Sequence, residues 1–587
     1  MIRLANFCAS LFLLLTSVGS LTAEDRPPNI VVIMADDLGY GDVSCYGATE
    51  LSTPNIDRLA SEGLRFTRGY CSASTCTPTR YSFLTGRYAF RKKGTGIAPP
   101  NGPAIIRPGV ETLPSILKRA NYKTAVIGKW HLGLGEKGKG PDWNGDLKPG
   151  PLEIGFDSCF LLPTTNDRVP QVYVQDHRVL NLDPADPLWV GKKKPSKDHP
   201  SGKTHRDSLK MDWSHGHNST IHNGISRIGF YTGGHAARFR DEDLADKWVE
   251  KADEFFAREK QKPFFLFFSS HDCHVPRIPH ERFQGKTKLG FRGDAIVQLD
   301  WCVGEVMKSL EKNGLTENTM IIFCSDNGPV MDDGYKDDAI EKIGKHRAGG
   351  PYTGGKYSVY EGGCRTPFIT RWPGTIKPGI SDNMVCTIDI AASIAALTKQ
   401  ELADDACIDS FDVLEALTGK PGSTGRDSLI LQDNGSSGTW SFIKLIDDKA
   451  WKLHRYDKAR AFNVTVEQKL VRTKADKLEL YEINSDPQEQ TKIAITAETQ
   501  SPTRWPANFR PSSTRAIQGR ALARECLRRI DTSSDQTQTA TVASLAGEFR
   551  KKNHGHDGKL NERKERKELA GGRWDVGGQS HHRQLVF

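Results

Sequence analysis

Five short groups of residues in this 587-residue chain are of types that do chemistry. Asp36-Asp37 and Asp326-Asn327 offer carboxylate and amide oxygens. Lys129 with His131, and His271 with His274, offer cations and titratable imidazoles. Cys76-Thr77-Pro78-Thr79-Arg80 sets a thiol four residues before a permanent cation. Taken alone, an Asp-Asp pair after a strand is as well explained as a turn or helix cap. What raises these groups above that reading is where they fall.

Four of them directly follow a short apolar run: Asn29–Met34, Thr124–Ile127, Phe264–Phe268 and Met320–Cys324. Runs of this length rich in Val, Ile and Phe read as buried strands. Between them lie helix-like segments, Pro54–Gly63, Glu111–Ala120, Asp241–Lys260 and Asp294–Gly314. Alternating strands and helices predict an α/β domain on a large, mainly parallel mixed sheet flanked by helices. Ligands bind at the carboxyl ends of such strands, and all four polar groups fall at that edge.

The segment Cys76-Thr77-Pro78-Thr79-Arg80-Tyr81-Ser82-Phe83-Leu84-Thr85-Gly86-Arg87 resembles the signature of the sulfatase family, Cys-x-Pro-x-Arg followed by Leu-Thr-Gly. The resemblance extends from about residue 28 to 490 and implies an alkaline-phosphatase-like fold with a smaller C-terminal α+β domain containing an antiparallel sheet. It implies that Cys76 is oxidised to formylglycine by a formylglycine-generating or sulfatase-maturating enzyme. It further implies one calcium ion held by Asp36, Asp37, Asp326 and Asn327 together with position 76. An all-oxygen set with three carboxylates suits a hard cation, calcium or magnesium, rather than zinc or copper.

Lys129 and His131 stand in Gly128-Lys129-Trp130-His131, His274 in His271-Asp272-Cys273-His274-Val275-Pro276, and Lys356 in Gly355-Lys356-Tyr357-Ser358-Val359-Tyr360-Glu361-Gly362-Gly363. By resemblance, Lys129 and Lys356 stabilise charge on the sulfate and Arg80 steadies the modified residue 76. His274 is expected as general acid and His131 as general base; His271 is given no catalytic role. Two other readings compete. A phosphatase or phosphodiesterase of the same superfamily would carry two zinc ions and a serine or threonine nucleophile; Asn327 stands where such a relative would have histidine. A non-catalytic binder of sulfated glycans would need a degenerate site, and no motif residue is missing.

The expected substrate is a sulfated carbohydrate, with a terminal 6-sulfated galactose-type sugar as the specific choice. The segments Leu162–Val169 and Trp213–Gly224 are expected to line its pocket, with Asp167, Arg168, His215, His217 and Arg277 as candidate contacts, because loops carry specificity on such scaffolds.

Residues 1–23 read as a signal peptide: Arg3, an apolar run around Leu11–Leu15, then small residues to Ala23. The run is short of the roughly 18 residues that span a bilayer, so the expectation is an exported protein, periplasmic or extracellular, with no stable membrane span. Residues 24–425 are expected to form the catalytic domain and 426–492 the small domain, with strands at Leu429–Gln432, Phe442–Ile446, Trp451–His454 and Leu478–Ile483. The formal charge is +9. Residues 501–587 hold 17 Lys/Arg against 9 Asp/Glu, which leaves the main body near neutrality and gives no reason to expect a nucleic-acid partner. The tail from 493 is expected to be largely disordered. Eleven cysteines remain after Cys8, without metal-ligand spacing; Cys302, Cys324 and Cys386 read as buried inert thiols. Asn218-Ser219-Thr220 and Asn463-Val464-Thr465 match the glycosylation sequon.

Overall fold

A computed structural model describes residues 26–434, 439–446, 448–456 and 478–493. The expected signal peptide, the tail after 493 and the sequon at Asn463 lie outside these residues. In spatial order, the main sheet runs Gly379–Cys386, Leu64–Tyr70, Phe368–Arg371, Thr319–Ser325, Asn29–Ala35, Phe264–Ser269, Lys123–Lys129, Ser158–Leu162, Val174–Gln175, Arg178–Val179. The five strands from Thr319–Ser325 to Ser158–Leu162 are mutually parallel, and Phe368–Arg371 and Val174–Gln175 join them antiparallel. This is the mixed, mainly parallel sheet anticipated from the alternation of elements.

The strand Asn29–Ala35 shows why the apolar runs are continuous rather than alternating. Its Ile30, Val32 and Met34 enter one core with Leu113, Ile116 and Ile390, while Val31, Ile33 and Ala35 enter a second with Leu244, Trp248 and Leu299. Successive side chains point to opposite faces, and helices cover both, so every position must be apolar. The four expected helices are present as Pro54–Ser61, Leu113–Arg119, Leu244–Glu259 and Gly290–Lys312.

Register fixes the functional edge. Ala35 lies beside Ser325, Met34 beside Ser269, and Ser269 beside Gly128. Asp36, Asp326, Ser270 and Lys129 therefore emerge from neighbouring strands at one level. Gly128 makes this possible: its φ is +107°, and an added Cβ would lie 1.9 Å from the Ser269 carbonyl oxygen.

The second sheet is antiparallel, in the order Ser428–Gln432, Thr439–Ile446, Lys449–Tyr456, Leu478–Glu482, matching the four strands read from sequence. Leu429, Leu431, Ile443 and Tyr481 pack on Tyr70, Cys71 and Tyr88, and both sheets belong to one compact unit. All ten cysteines among the described residues are free, and nine are buried.

Candidate active site

Cys76 is the first residue of the helix Cys76–Thr85 and is 2% exposed. A helix N-terminus directs free backbone N–H groups and partial positive charge at whatever lies before it, which suits an anion. Burial pushes the Cys76 thiol up, against the pull of Lys129 and Lys356, so an unmodified thiol is neutral at pH 7 and a weak nucleophile. One turn later, Arg80 projects from the same face. Its Nε donates to Asp326 Oδ2 (2.9 Å) and its Nη1 to the Lys129 carbonyl (3.2 Å) and Ser269 Oγ. Arg80, expected to steady residue 76, thus has its visible contacts on the Asp326 carboxylate and on the two strand ends beside it.

His131 lies against the thiol, with Nδ1 3.2 Å from Cys76 Sγ. Its Nε2 is 3.1 Å from the Ala98 carbonyl. A carbonyl only accepts, so Nε2 carries the hydrogen and Nδ1 presents a lone pair to position 76. Burial and Lys129 hold the imidazole well below its ordinary value, so it is neutral and ready to accept a proton. Thr77 Oγ1 donates to the His131 carbonyl (3.0 Å) and accepts from Ala98 N (3.2 Å), locking both partners to the helix that Cys76 begins.

The acidic cluster is fully buried. Lys129 Nζ pairs with Asp36 Oδ2, and Asn327 Nδ2 donates to Asp37 Oδ1 (2.7 Å). Asp326 Oδ1 accepts from Asp37 N (3.3 Å). Burial and the Asp326 charge push Asp36 well above the carboxylate range, against the opposing pull of Lys129. Asp36 Oδ1 and Asn327 Oδ1 are buried without a hydrogen-bond partner, a costly arrangement for oxygens in a protein interior. Two such oxygens among three carboxylates fit a hard divalent cation. Ligand atoms of Asp36, Asp37 and His274 also lie within 4.8 Å of one another, which adds His274 to the side chains around that position.

His274 Nδ1 is 2.6 Å from the Val275 carbonyl, so by the same reasoning Nδ1 carries the hydrogen and Nε2, 3.9 Å from Asp37 Oδ2, faces the cleft. Burial, Lys356 and Lys129 lower its pKa well below the ordinary value. Lys356 Nζ donates to Asp37 Oδ2 (2.9 Å) and Asp333 Oδ2 (2.7 Å). Burial opposes its charge, but Asp333 and Asp37 hold it firmly protonated. Tyr357 OH donates to Asp333 (3.0 Å), and Tyr357 N to the Ser74 carbonyl (2.7 Å), which ties the lysine turn to the loop before Cys76. Asp37, His131 and Tyr357 all have φ between +53° and +72°, left-handed conformations that cost non-glycine residues energy and gather at functional sites. His271 Nδ1 accepts from Trp248 Nε1 (3.1 Å) in the core, a structural place.

Of the expected specificity residues, Asp167, Arg168 and His217 come together. Arg168 Nη1 pairs with Asp167 Oδ2 (2.7 Å), and His217 Nε2 meets the same oxygen at 2.9 Å. The charges of Asp167 and Arg168 act on both His131 and His274, so this trio borders the candidate site. His215 lies at the rim, half exposed, with Nδ1 3.8 Å from Asp332. Arg277 turns inward: it pairs with Asp337 (2.6 Å) and donates to the carbonyls of Cys273, Val330 and Met331. It holds the loops beneath the site. Asp333 was not singled out in the sequence; the acidic pair Asp332-Asp333, six residues beyond Asp326-Asn327, is the signal that points to it.

The family pattern and the named relatives identify a sulfuric ester hydrolase. The chain belongs to the sulfatase family, whose pattern it matches over residues 28–400. It is 47% identical over 476 residues to an N-acetylgalactosamine-6-O-sulfatase of Bacteroides thetaiotaomicron, covering 80% of this chain and 90% of that one. Human arylsulfatase A is 31% identical over 417 residues, 71% of this chain and 72% of the relative. A solved chain labelled 6S-sulf, from work on metabolism of multiple glycosaminoglycans by Bacteroides thetaiotaomicron, superposes with a TM-score of 0.76 at 47% identity, covering 80% of this chain and 95% of that one. Among the described residues no helix is long and apolar enough to cross a membrane.

Proposed function

We propose that this is an exported, formylglycine-dependent sulfatase that removes 6-O-sulfate from a terminal galactose-type sugar of a sulfated glycan. The observation that carries the chemistry is His131 Nδ1, 3.2 Å from the side chain of residue 76 at a helix N-terminus. The 47% identity to an N-acetylgalactosamine-6-O-sulfatase supports the sugar and the position.

Formylglycine at position 76, once hydrated, would supply two hydroxyls on one carbon: one to attack sulfur, the other to lose its proton so that sulfate can leave. Calcium, held by oxygens of Asp36, Asp37, Asp326 and Asn327 beside residue 76, would supply positive charge for the sulfate oxygens. The chain's own groups do the rest. Lys129 and Lys356 balance charge that builds on the ester oxygens. His274 delivers a proton from Nε2 to the departing sugar oxygen; the neutral resting state places its hydrogen on Nδ1, and the anionic substrate favours the doubly protonated ring. His131 Nδ1 removes the second hydroxyl proton. Asp167, Arg168 and His217 face the sugar. A site that hydrogen-bonds a hydroxyl rejects an analogue lacking it by about 10⁴-fold or more.

The test is sulfate release from a panel of 6-, 4- and 3-sulfated galactose and N-acetylgalactosamine, defined disaccharides and an aryl sulfate. Preference for the 6-sulfated terminal sugars is expected. Efficient aryl turnover with none of any sugar would overturn the carbohydrate assignment, and preference for internal sulfates on long chains would overturn its end-acting part.

A further inference from the structure

Beside the substrate-facing trio lies a strand whose outer face has no partner among the described residues. Trp189–Gly191 pairs antiparallel with Phe230–Thr232, Gly191 opposite Phe230. Val190 packs onto the main core, and Trp189, on the opposite side of the pleat, is 43% exposed. The Trp189 indole lies over Gly191, within 2.6 Å of where a Cβ would be, so the ring is laid along the strand. Such a flat apolar face with a polar edge suits the carbon face of a sugar ring.

Lysines follow at once. The segment 189–210 holds seven Lys/Arg against two Asp/Glu in a body otherwise near neutral. Arg206 and Lys210 have carboxylate neighbours in Asp212 and Glu242. Lys192, Lys193, Lys194, Lys197 and Lys203 are exposed and form no ion pair among the described residues. Unpaired like charges held side by side repel one another, and a polyanion would relieve that repulsion.

The segment is anchored at both ends to the substrate side of the site. Ile228 bridges Arg168, two residues before Phe230 pairs with Gly191. By strand spacing, Lys192 is roughly 20 Å or less along that path from Arg168. At the other end, His199 Nε2 meets Thr220 Oγ1 at 2.8 Å, and Trp213 Nε1 donates to the Gly202 carbonyl at 3.1 Å. Thr220 and Trp213 flank His217, the partner of Asp167.

We propose that Trp189 and the Lys192–Lys203 segment form an auxiliary binding surface for the following anionic units of the glycan whose terminal sugar enters the active site. The inference rests on the sulfated-glycan reading of that site and extends it: the substrate is recognised as a polyanionic chain. Its charge dependence should be screened within a Debye length of about 10 Å at 0.1 M salt.

The experiment compares the 6-sulfated N-acetylgalactosamine monosaccharide with a hexasaccharide of alternating uronate and 6-sulfated N-acetylgalactosamine, using the full chain and a Lys192→Ser/Lys193→Ser/Lys194→Ser variant. At low salt the variant should lose roughly tenfold in kcat/KM on the hexasaccharide, through KM, and keep wild-type kinetics on the monosaccharide. Trp189→Ala should weaken the hexasaccharide selectively at all salt concentrations. Equal losses on both substrates, or no loss on either, would overturn the proposal. Calorimetric binding of the hexasaccharide to the Cys76→Ala chain, with and without the lysine substitutions, gives a readout independent of turnover. Should the wild type fail to cleave the monosaccharide, the reading of the active site falls, while a tenfold affinity loss in this arm would still establish the surface and an unchanged affinity would refute it.

Discussion

Lys452→Met should expose how strongly the small sheet holds the turn that carries Lys356. Lys452 Nζ is buried between Glu361 Oε1 (2.8 Å) and Glu489 Oε1 (3.1 Å). Glu489 Oε2 accepts from Glu361 N (2.6 Å), and Glu361 Oε2 accepts from Tyr70 OH (2.8 Å). Glu361 closes the turn that carries Lys356 and Tyr357. Burial works to raise its pKa, but Lys452 and Arg365 overcome this and hold it at about 2. Methionine keeps most of the stem and removes the charge, leaving two buried carboxylates short of a cation, which costs about 3–5 kcal/mol. For a unit of several hundred residues, unfolding entropy near 2 cal/mol/K per residue gives roughly 1 kcal/mol per degree, so Tm should fall by about 3–5 °C at pH 7. The sign with pH follows from the depressed pKa: Glu361 contributes stability fully above the unfolded value of 4.5 and loses it as pH falls towards 2. The Tm gap between wild type and variant should therefore be widest at pH 7 and narrow towards pH 4. Scanning calorimetry across pH, with kcat measured alongside, is the assay. A shift under 1 °C with no pH trend, and unchanged kcat, would refute the coupling.

Three further outcomes are expected. Cys76→Ala should abolish turnover, and the active wild-type peptide from Gly69 to Arg80 should weigh less than its cysteine form in mass spectrometry; full activity with intact cysteine would contradict the nucleophile. Asp326→Ala should lose both bound divalent cation, read by elemental analysis, and activity by at least about 10²-fold, because it removes a carboxylate of the proposed metal site and frees Arg80 from its ion pair; turnover that survives exhaustive chelation would contradict the metal site. Since burial, Lys356 and Lys129 depress His274 well below its ordinary value, the free enzyme holds little of the acid form at neutral pH. kcat/KM should thus rise as pH is lowered from 8 to 6, and His274→Ala should flatten that limb; a wild-type rate that falls over this range would contradict the assignment.

Local pattern in the sequence was enough to determine the strand-and-helix alternation, the edge where Asp36, Lys129, His274 and Asp326 emerge, and the cysteine motif, because an apolar run buried on both faces is written residue by residue and a motif is a matter of local order; that Cys76 and Arg80 share one helical turn came only from the structure. It did not determine which polar groups meet. Asp37 and Lys356 are 319 residues apart and touch; Arg277 looks like a ligand in sequence yet is spent on Asp337 and three carbonyls; Asp333 looks like a loop residue yet holds Lys356. The hydrogen positions on His131 and His274 follow from the carbonyls of Ala98 and Val275, and the grip of Lys452 on the lysine turn follows from the packing of one sheet against another. Secondary structure comes from short-range periodicity, whereas a buried charge finds its partner only when chain closure over hundreds of residues removes water from both.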